Sequence, residues 1–171
     1  MAQSLVNSGE LPRLNFPLQK ISLKREKGVV KIYDSSRHKY IVLTPEEYVR
    51  QCFVNFMLDG RAFPEALMAN DVELKLNRTS RRCDTVVYTS ALRPLCIVEY
   101  KAPHIAITQR VFDQIARYNS VLNAPFLVVS NGLNHFCCRF TGAGYVFLPD
   151  IPAFAEMMKY AGASQTNSQN M

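Results

Sequence analysis

Asp84, Glu99 and Lys101 have the types and spacing that phosphodiester hydrolysis would need. Asp84 opens the β-branched run DTVVY at 84–88, and Glu99 and Lys101 close LCIVEYK at 95–101. The turn-rich TSALRP between them makes the two runs an antiparallel hairpin. Numbers paired across such a hairpin have a constant sum, and a turn centred between residues 91 and 92 sets it at 183, the sum of 84 and 99. The two carboxylates then lie opposite or diagonal, with Cβ atoms about 5–8 Å apart, and Lys101, two residues on, shares the face of Glu99. Carboxylates that close on apolar strands raise one pKa unless a cation comes between them. A divalent ion, Mg2+ or Mn2+, meets that need: it takes one or two carboxylates, keeps several waters and leaves room for a phosphate. Lys101 would orient the attacking water or offset charge developing on the phosphoryl group. A structural ion pair among the same residues is the competing reading. The tripeptide does not decide, since Glu73, Leu74 and Lys75 are also ExK and read as a solvated strand face. EYK at 99–101 differs by its context: an apolar run before it, Asp84 across the hairpin, and a helical pattern with Gln114 and Tyr118 after it.

The elements that must position these groups follow from changes of period. GVVKIY at 28–33 and KYIVL at 39–43 flank the turn DSSRH and predict an N-terminal hairpin. Thr44, Pro45 and Glu47 form a helix start, with Thr as N-cap, Pro at the first helical position and Glu three residues after the cap. A helix over 45–58 follows, ended by Gly60. From Val72 the period is two, and VELKL is a strand. A helix over 108–122 crosses to FLVVS at 126–130, a continuous apolar run that reads as a buried parallel strand. HFCCRF and YVFL extend the sheet, and PAFAEMMKYA gives a last helix. The expected organisation is an arm over 1–17, one domain over 18–161 and a disordered tail over 162–171. The fold class is α/β, a mixed central sheet flanked by helices.

The 171 residues, 48% of them apolar, suit one domain with a real core. No apolar run is long enough to span a bilayer, and MAQSLVNSGELPRL lacks a secretory pattern, so a soluble cytoplasmic protein with no membrane partner is expected. Five cysteines, odd in number and without a CxxC pair, read as reduced core thiols. The net charge of +6 is concentrated: residues 13–39 hold eight basic side chains against Glu26 and Asp34, and the other twelve basic residues balance twelve acidic ones. Such a segment suits a polyanion, with a solvated surface as the plain alternative.

The series TPEEYVRQ (44–51), RRCDTVVY (81–88), PLCIVEYKAP (94–103), FDQIARYN (112–119) and FLVVSNG (126–132) resembles the N-terminal domain family of type I restriction enzyme R subunits, over roughly residues 30–150. The resemblance implies a PD-(D/E)xK nuclease core, with Asp84 and Glu99 as metal-binding carboxylates and Lys101 as the catalytic lysine. Gln114 and Tyr118 match a QxxxY helix motif of related exonuclease domains. The superfamily often places an accessory acid on the first helix, where Glu46 and Glu47 stand; for Glu47 the reading as capping-box partner of Thr44 is preferred. Cys83 replaces the proline of the motif's name. No GxxxxGK(S/T) is present, so ATP binding by this chain is not expected, and a motor or specificity subunit would come from another chain.

Tyr118 also suits the core, and Gln114 would hold Lys101 or a nucleotide phosphate. His104 and His135 read as surface or loop residues. Arg78, Arg81 and Arg82 precede Asp84, where they would meet a DNA backbone or simply face water. Two function classes stay open: a Mg2+-dependent DNA nuclease, alone or within a restriction or repair assembly, and a non-catalytic DNA-binding or assembly module. The joint presence of Asp84, Glu99 and Lys101 favours the nuclease. For DNA contact the candidates are Lys20, Lys24, Arg25 and Lys27, with Arg81 and Arg82. Changing Lys20, Lys24, Arg25 and Lys27 together to Gln should weaken DNA binding and flatten its salt dependence, because each neutralised phosphate releases counterions. Titration at several salt concentrations checks this, and an unchanged slope would return the segment to a solvated surface.

Overall fold

In the computed structural model, which describes residues 11–17, 20–76 and 79–168, the chain alternation seen in the sequence builds two sheets. The smaller has strands β1 (Leu23–Glu26), β2 (Val29–Asp34) and β3 (Lys39–Val42) in antiparallel order. The larger runs in sequence order through β4 (Met68–Leu76), β5 (Thr79–Tyr88), β6 (Pro94–Tyr100), β7 (Phe126–Ser130), β8 (His135–Phe140) and β9 (Tyr145–Leu148). Only β6 and β7 are parallel among these neighbours, and helix α2 (Gln109–Leu122) makes the crossover between them. Helix α1 (Pro45–Asn55) links the two sheets, and α3 (Phe154–Ser168) closes the described chain. No helix among the described residues is long and apolar enough to cross a membrane.

Local chemistry explains the boundaries. Thr44 caps α1, its hydroxyl accepting from the Glu47 N–H at 3.1 Å, with Pro45 in the first turn. The helix was expected to run regularly to residue 58, but after Asn55 it widens into a π turn over Phe56–Gly60. Strand β4 begins four residues before the expected Val72, because pairing with β5 overrides the poor strand propensity of Asn70 and Asp71. Strand β1 was not foreseen, since LKRE is charged; it is held by pairing with β2. The last helix draws in residues 162–168, expected as tail: each residue added to a packed, nucleated helix needs little further ordering.

Two apolar layers cover the larger sheet. On one side α1 and α3 bury Val49, Phe53, Met57 and Met157 against Val87, Val98, Tyr100 and Val128. On the other α2 buries Val111, Ile115 and Tyr118 against Val86, Ile97, Leu127 and Val129. The small sheet packs Leu23, Val30, Ile32 and Ile41 onto Tyr48 and Cys52 of α1. All five cysteines are buried free thiols.

The second half of the expected arm is docked, its first ten residues lying outside the described residues. Leu11 is buried, the Asn15 N–H donates to the Gly132 carbonyl at 2.7 Å, and Phe16 stacks on His135. His135 is therefore a packed residue, its Nδ1 2.8 Å from the Ser130 hydroxyl. A Cβ on Gly132 would lie 2.7 Å from a Leu14 methyl and 3.0 Å from Val49, and its φ is +82°. Gly142 has the same φ of +82°, with no atom of the described residues within 4 Å of a Cβ placed there. Gly142→Ala should therefore cost only the left-handed backbone penalty, about 1–2 kcal/mol, while Gly132→Ala should cost more and loosen the arm. Urea midpoints with limited proteolysis test this; equal losses would mean that the arm is not seated there.

Candidate active site

The hairpin register brings the predicted carboxylates together. Thr85 pairs with Val98, Val86 with Ile97 and Val87 with Cys96, each pair summing to 183, and one step further on that register places Asp84 opposite Glu99. Glu99 follows Ile97 by two residues, so it points to the α2 side, where Gln114 waits one turn before Tyr118. Glu99 Oε1 accepts from Lys101 Nζ at 2.8 Å and from Gln114 Nε2 at 3.0 Å. Gln114 Nε2 also reaches the Tyr118 hydroxyl at 2.9 Å. Gln114 thus holds Glu99, not Lys101, and Tyr118 is both core and hydrogen-bond partner. Glu99 Oε2 is buried with no hydrogen-bond partner among the described residues.

Asp84 stands where strand alternation slips. The β4–β5 ladder lapses between the pairs Asn70–Thr85 and Val72–Cys83, and Asp71, which would oppose Asp84, has φ +53°. Aspartate tolerates that left-handed conformation better than most residues. Met68 and Val87 face the α1 layer before the slip, and Val72, Leu74 and Cys83 face the α2 layer after it. Asp84 Oδ2 accepts from the Tyr100 N–H at 2.8 Å, which fixes the carboxylate on β6.

Arg50, 6% exposed, closes the site from α1. Its guanidinium lies 3.2 Å from Asp71, 3.7 Å from Asp84 and 3.7 Å from Glu47. Asp71 also pairs with Arg37 of the β2–β3 turn. Neither Arg50 nor Asp71 stood out in the sequence. An arginine four residues after Glu46 and three after Glu47 is the one sequence signal that would have raised it, as an (i, i+4) and (i, i+3) neighbour. Glu47 turns to Arg50 and to Gln51, whose amide donates to it at 2.8 Å. Glu46 is the acid of the pair whose charge bears on Asp84, Glu99 and Lys101.

These surroundings shift the titrations. Burial, then the charge of Asp84, raises Glu99 from its ordinary 4.5 to about 7 against the opposing pull of Lys101. Desolvation and Asp84 likewise raise Glu46. For Lys101 burial acts downward, but the hydrogen bond and charge of Glu99 outweigh it and its pKa is raised. Arg81 and Arg82 are exposed on β5 beyond the slip, Arg82 opposite Glu73. Lys24 and Arg25 lie on β1, Lys27 in the β1–β2 turn and Lys20 ahead of β1. Arg78 lies outside the described residues.

A mixed six-stranded sheet between helical layers, with two carboxylates and a lysine meeting on one hairpin, makes this an α/β domain. Residues 45–152 match the family described as Type I restriction enzyme R protein N terminus (HSDR_N), and the chain belongs to that family. The match starts at α1, so the small sheet precedes it. The fragment structure of a putative HsdR subunit of a type I restriction enzyme from Vibrio vulnificus YJ016 shares the fold, with TM-score 0.53 and 17% identity over 68% of this chain and 25% of that one. This chain therefore spans about a quarter of that structure's length. No curated protein matches the sequence.

The raised Glu99 pKa sets the sign of a stability test. A carboxyl held more protonated in the folded state contributes nothing below about 4.5 and destabilises as pH rises towards about 7. Glu99→Gln should therefore gain stability relative to wild type between pH 5 and about pH 8. Urea midpoints across that range check it; a loss at pH 8 would mean that the Lys101–Glu99 pair dominates as a structural ion pair.

Proposed function

We propose that the chain is the nuclease domain of a restriction-type assembly, a PD-(D/E)xK core that hydrolyses DNA phosphodiesters with Mg2+ or Mn2+. The observation that carries the reading is the division of labour on Glu99: one oxygen is held by Lys101 and Gln114, while the other is buried, unpartnered and on the side chain facing Asp84 across the hairpin. Burying a carboxylate oxygen without a partner is costly, and a cation would meet that need. Among the described residues no three His, Cys, Asp or Glu side chains gather as a complete cage. Mg2+ is typically held through one or two carboxylates with waters and substrate phosphate. Asp84 and Glu99 would hold the ion, which when bound supplies an activated water and charge stabilisation at phosphorus.

The chain's own residues do the rest. The Tyr100 N–H and Arg50 orient Asp84, and Gln114 and Lys101 orient Glu99. Lys101 keeps its proton, so its ammonium is available to a phosphate oxygen or to the attacking water. Glu46 stands as a further acid beside the site. DNA is the substrate class and other subunits, a motor or a specificity chain, are the expected partners, in keeping with the family. The second reading, a non-catalytic module, is favoured by one feature: the 2.8 Å Lys101–Glu99 pair already partners one oxygen without a metal.

With Mg2+ or Mn2+ the protein should cleave DNA; Ca2+ should support binding with little cleavage, and EDTA should abolish activity. Asp84→Ala and Glu99→Ala should lose cleavage together with divalent-dependent stabilisation. Lys101→Ala should keep metal binding and lose about 100-fold or more in turnover. Calorimetry that finds no Mg2+ or Mn2+ binding, with or without DNA, would support the module instead.

A further inference from the structure

The small sheet precedes the family match and carries most of the excess charge, and its two faces differ. Leu23, Val30, Ile32 and Ile41 turn inward onto α1. The alternate positions turn outward, and the register gathers them: Lys24 opposite Lys31, Lys31 opposite Val42, and Tyr33 opposite Tyr40. The tyrosine rings meet edge to face at 5.2 Å, and the Lys24 ammonium sits over the Tyr40 ring at 4.5 Å. Val29 and Val42 are exposed beside them. Glu26 pairs with both lysines, so two cations share one carboxylate and the face stays positive. Lys27, in the β1–β2 turn, is exposed at its end.

We infer that this outer face binds a single-stranded nucleic-acid segment, stacking bases on Tyr33 and Tyr40 and holding the backbone with Lys24 and Lys31. Half-exposed aromatic rings set among cations on an open sheet match what single strands need: every unpaired base has a π face, and every phosphate a charge. Paired bases in a duplex cannot reach such rings. The cation over Tyr40 occupies the place that a base would take, and Lys24 displaced from the ring is left for a phosphate. The tyrosine end of the face is also tied to the carboxylates. Beyond Tyr33, Asp34 and Arg37 pair, Arg37 reaches Asp71, Asn70 donates to Ser36 at 2.8 Å, and Asp71 shares Arg50 with Asp84. A strand bound here lies beside the site, an orientation that rests on the nuclease reading, whereas the binding itself needs no metal.

The test uses the whole chain in EDTA, with a fluorescently labelled oligodeoxythymidylate and a duplex of equal length. The chain has eight tyrosines and no tryptophan, so its own emission reports stacking on tyrosine. Wild type should bind the single strand more tightly than the duplex, with quenched tyrosine emission. Tyr33→Leu and Tyr40→Leu should each weaken binding about ten-fold, and Tyr→Phe at the same positions should retain it. Lys24→Gln with Lys31→Gln should lower the log–log salt slope by about 1.4. Equal affinity for duplex, no binding to either, or Tyr→Leu variants that bind like wild type would overturn the inference. Divalent binding and cleavage are read separately from strand binding in EDTA, so a failed nuclease reading would show there while this face still binds.

Discussion

A carboxylate only 3% exposed, facing a second carboxylate across two paired strands, is the constraint around which this domain is arranged. Like charges so placed in a medium poorer than water cannot both be ionised cheaply. Three side chains answer that difficulty. Lys101 comes from the same strand face, Gln114 from the crossover helix, and Tyr118 steadies Gln114 from one turn further on. The parallel pairing of β6 with β7 matters for the same reason: it requires a crossover, and the crossover is the helix that delivers Gln114.

Asp84 is handled from the other side. The slip in β4–β5 at Asp71 takes both acids out of regular pairing, and buried Arg50 stands among Asp71, Asp84 and Glu47. A buried cation left alone would be as costly as the acids; here each charge compensates the others. The chain of contacts continues through Arg37 to the β2–β3 turn, so the small sheet is fastened to the site by charge as well as by the apolar surface under it.

Much of this was legible because the strands obey simple periods. The constant sum of 183 sets Asp84 against Glu99 from the sequence alone, and the crossover over 108–122 is α2 to within a residue. What stayed hidden depends on contacts between distant segments. LKRE carries no strand pattern and becomes β1 only through its partner. Asp71 is an ordinary polar residue until its left-handed backbone sets it opposite Asp84. Arg50 sits within an amphipathic helix as if solvated, and its burial follows from acids supplied by β4 and β5. Of the two acids that open α1, the sequence could not say which would turn to Arg50 and which would bear on the site.

The central claim is that Asp84 and Glu99 share a cation. Crystals grown with Mn2+ and measured for anomalous scattering test it most directly. The account predicts one peak in contact with an Asp84 oxygen and with Glu99 Oε2, Lys101 and Gln114 remaining on Oε1. A map with no peak there, and Glu99 bound only to Lys101 and Gln114 at Mn2+ concentrations that saturate other nucleases, would contradict it.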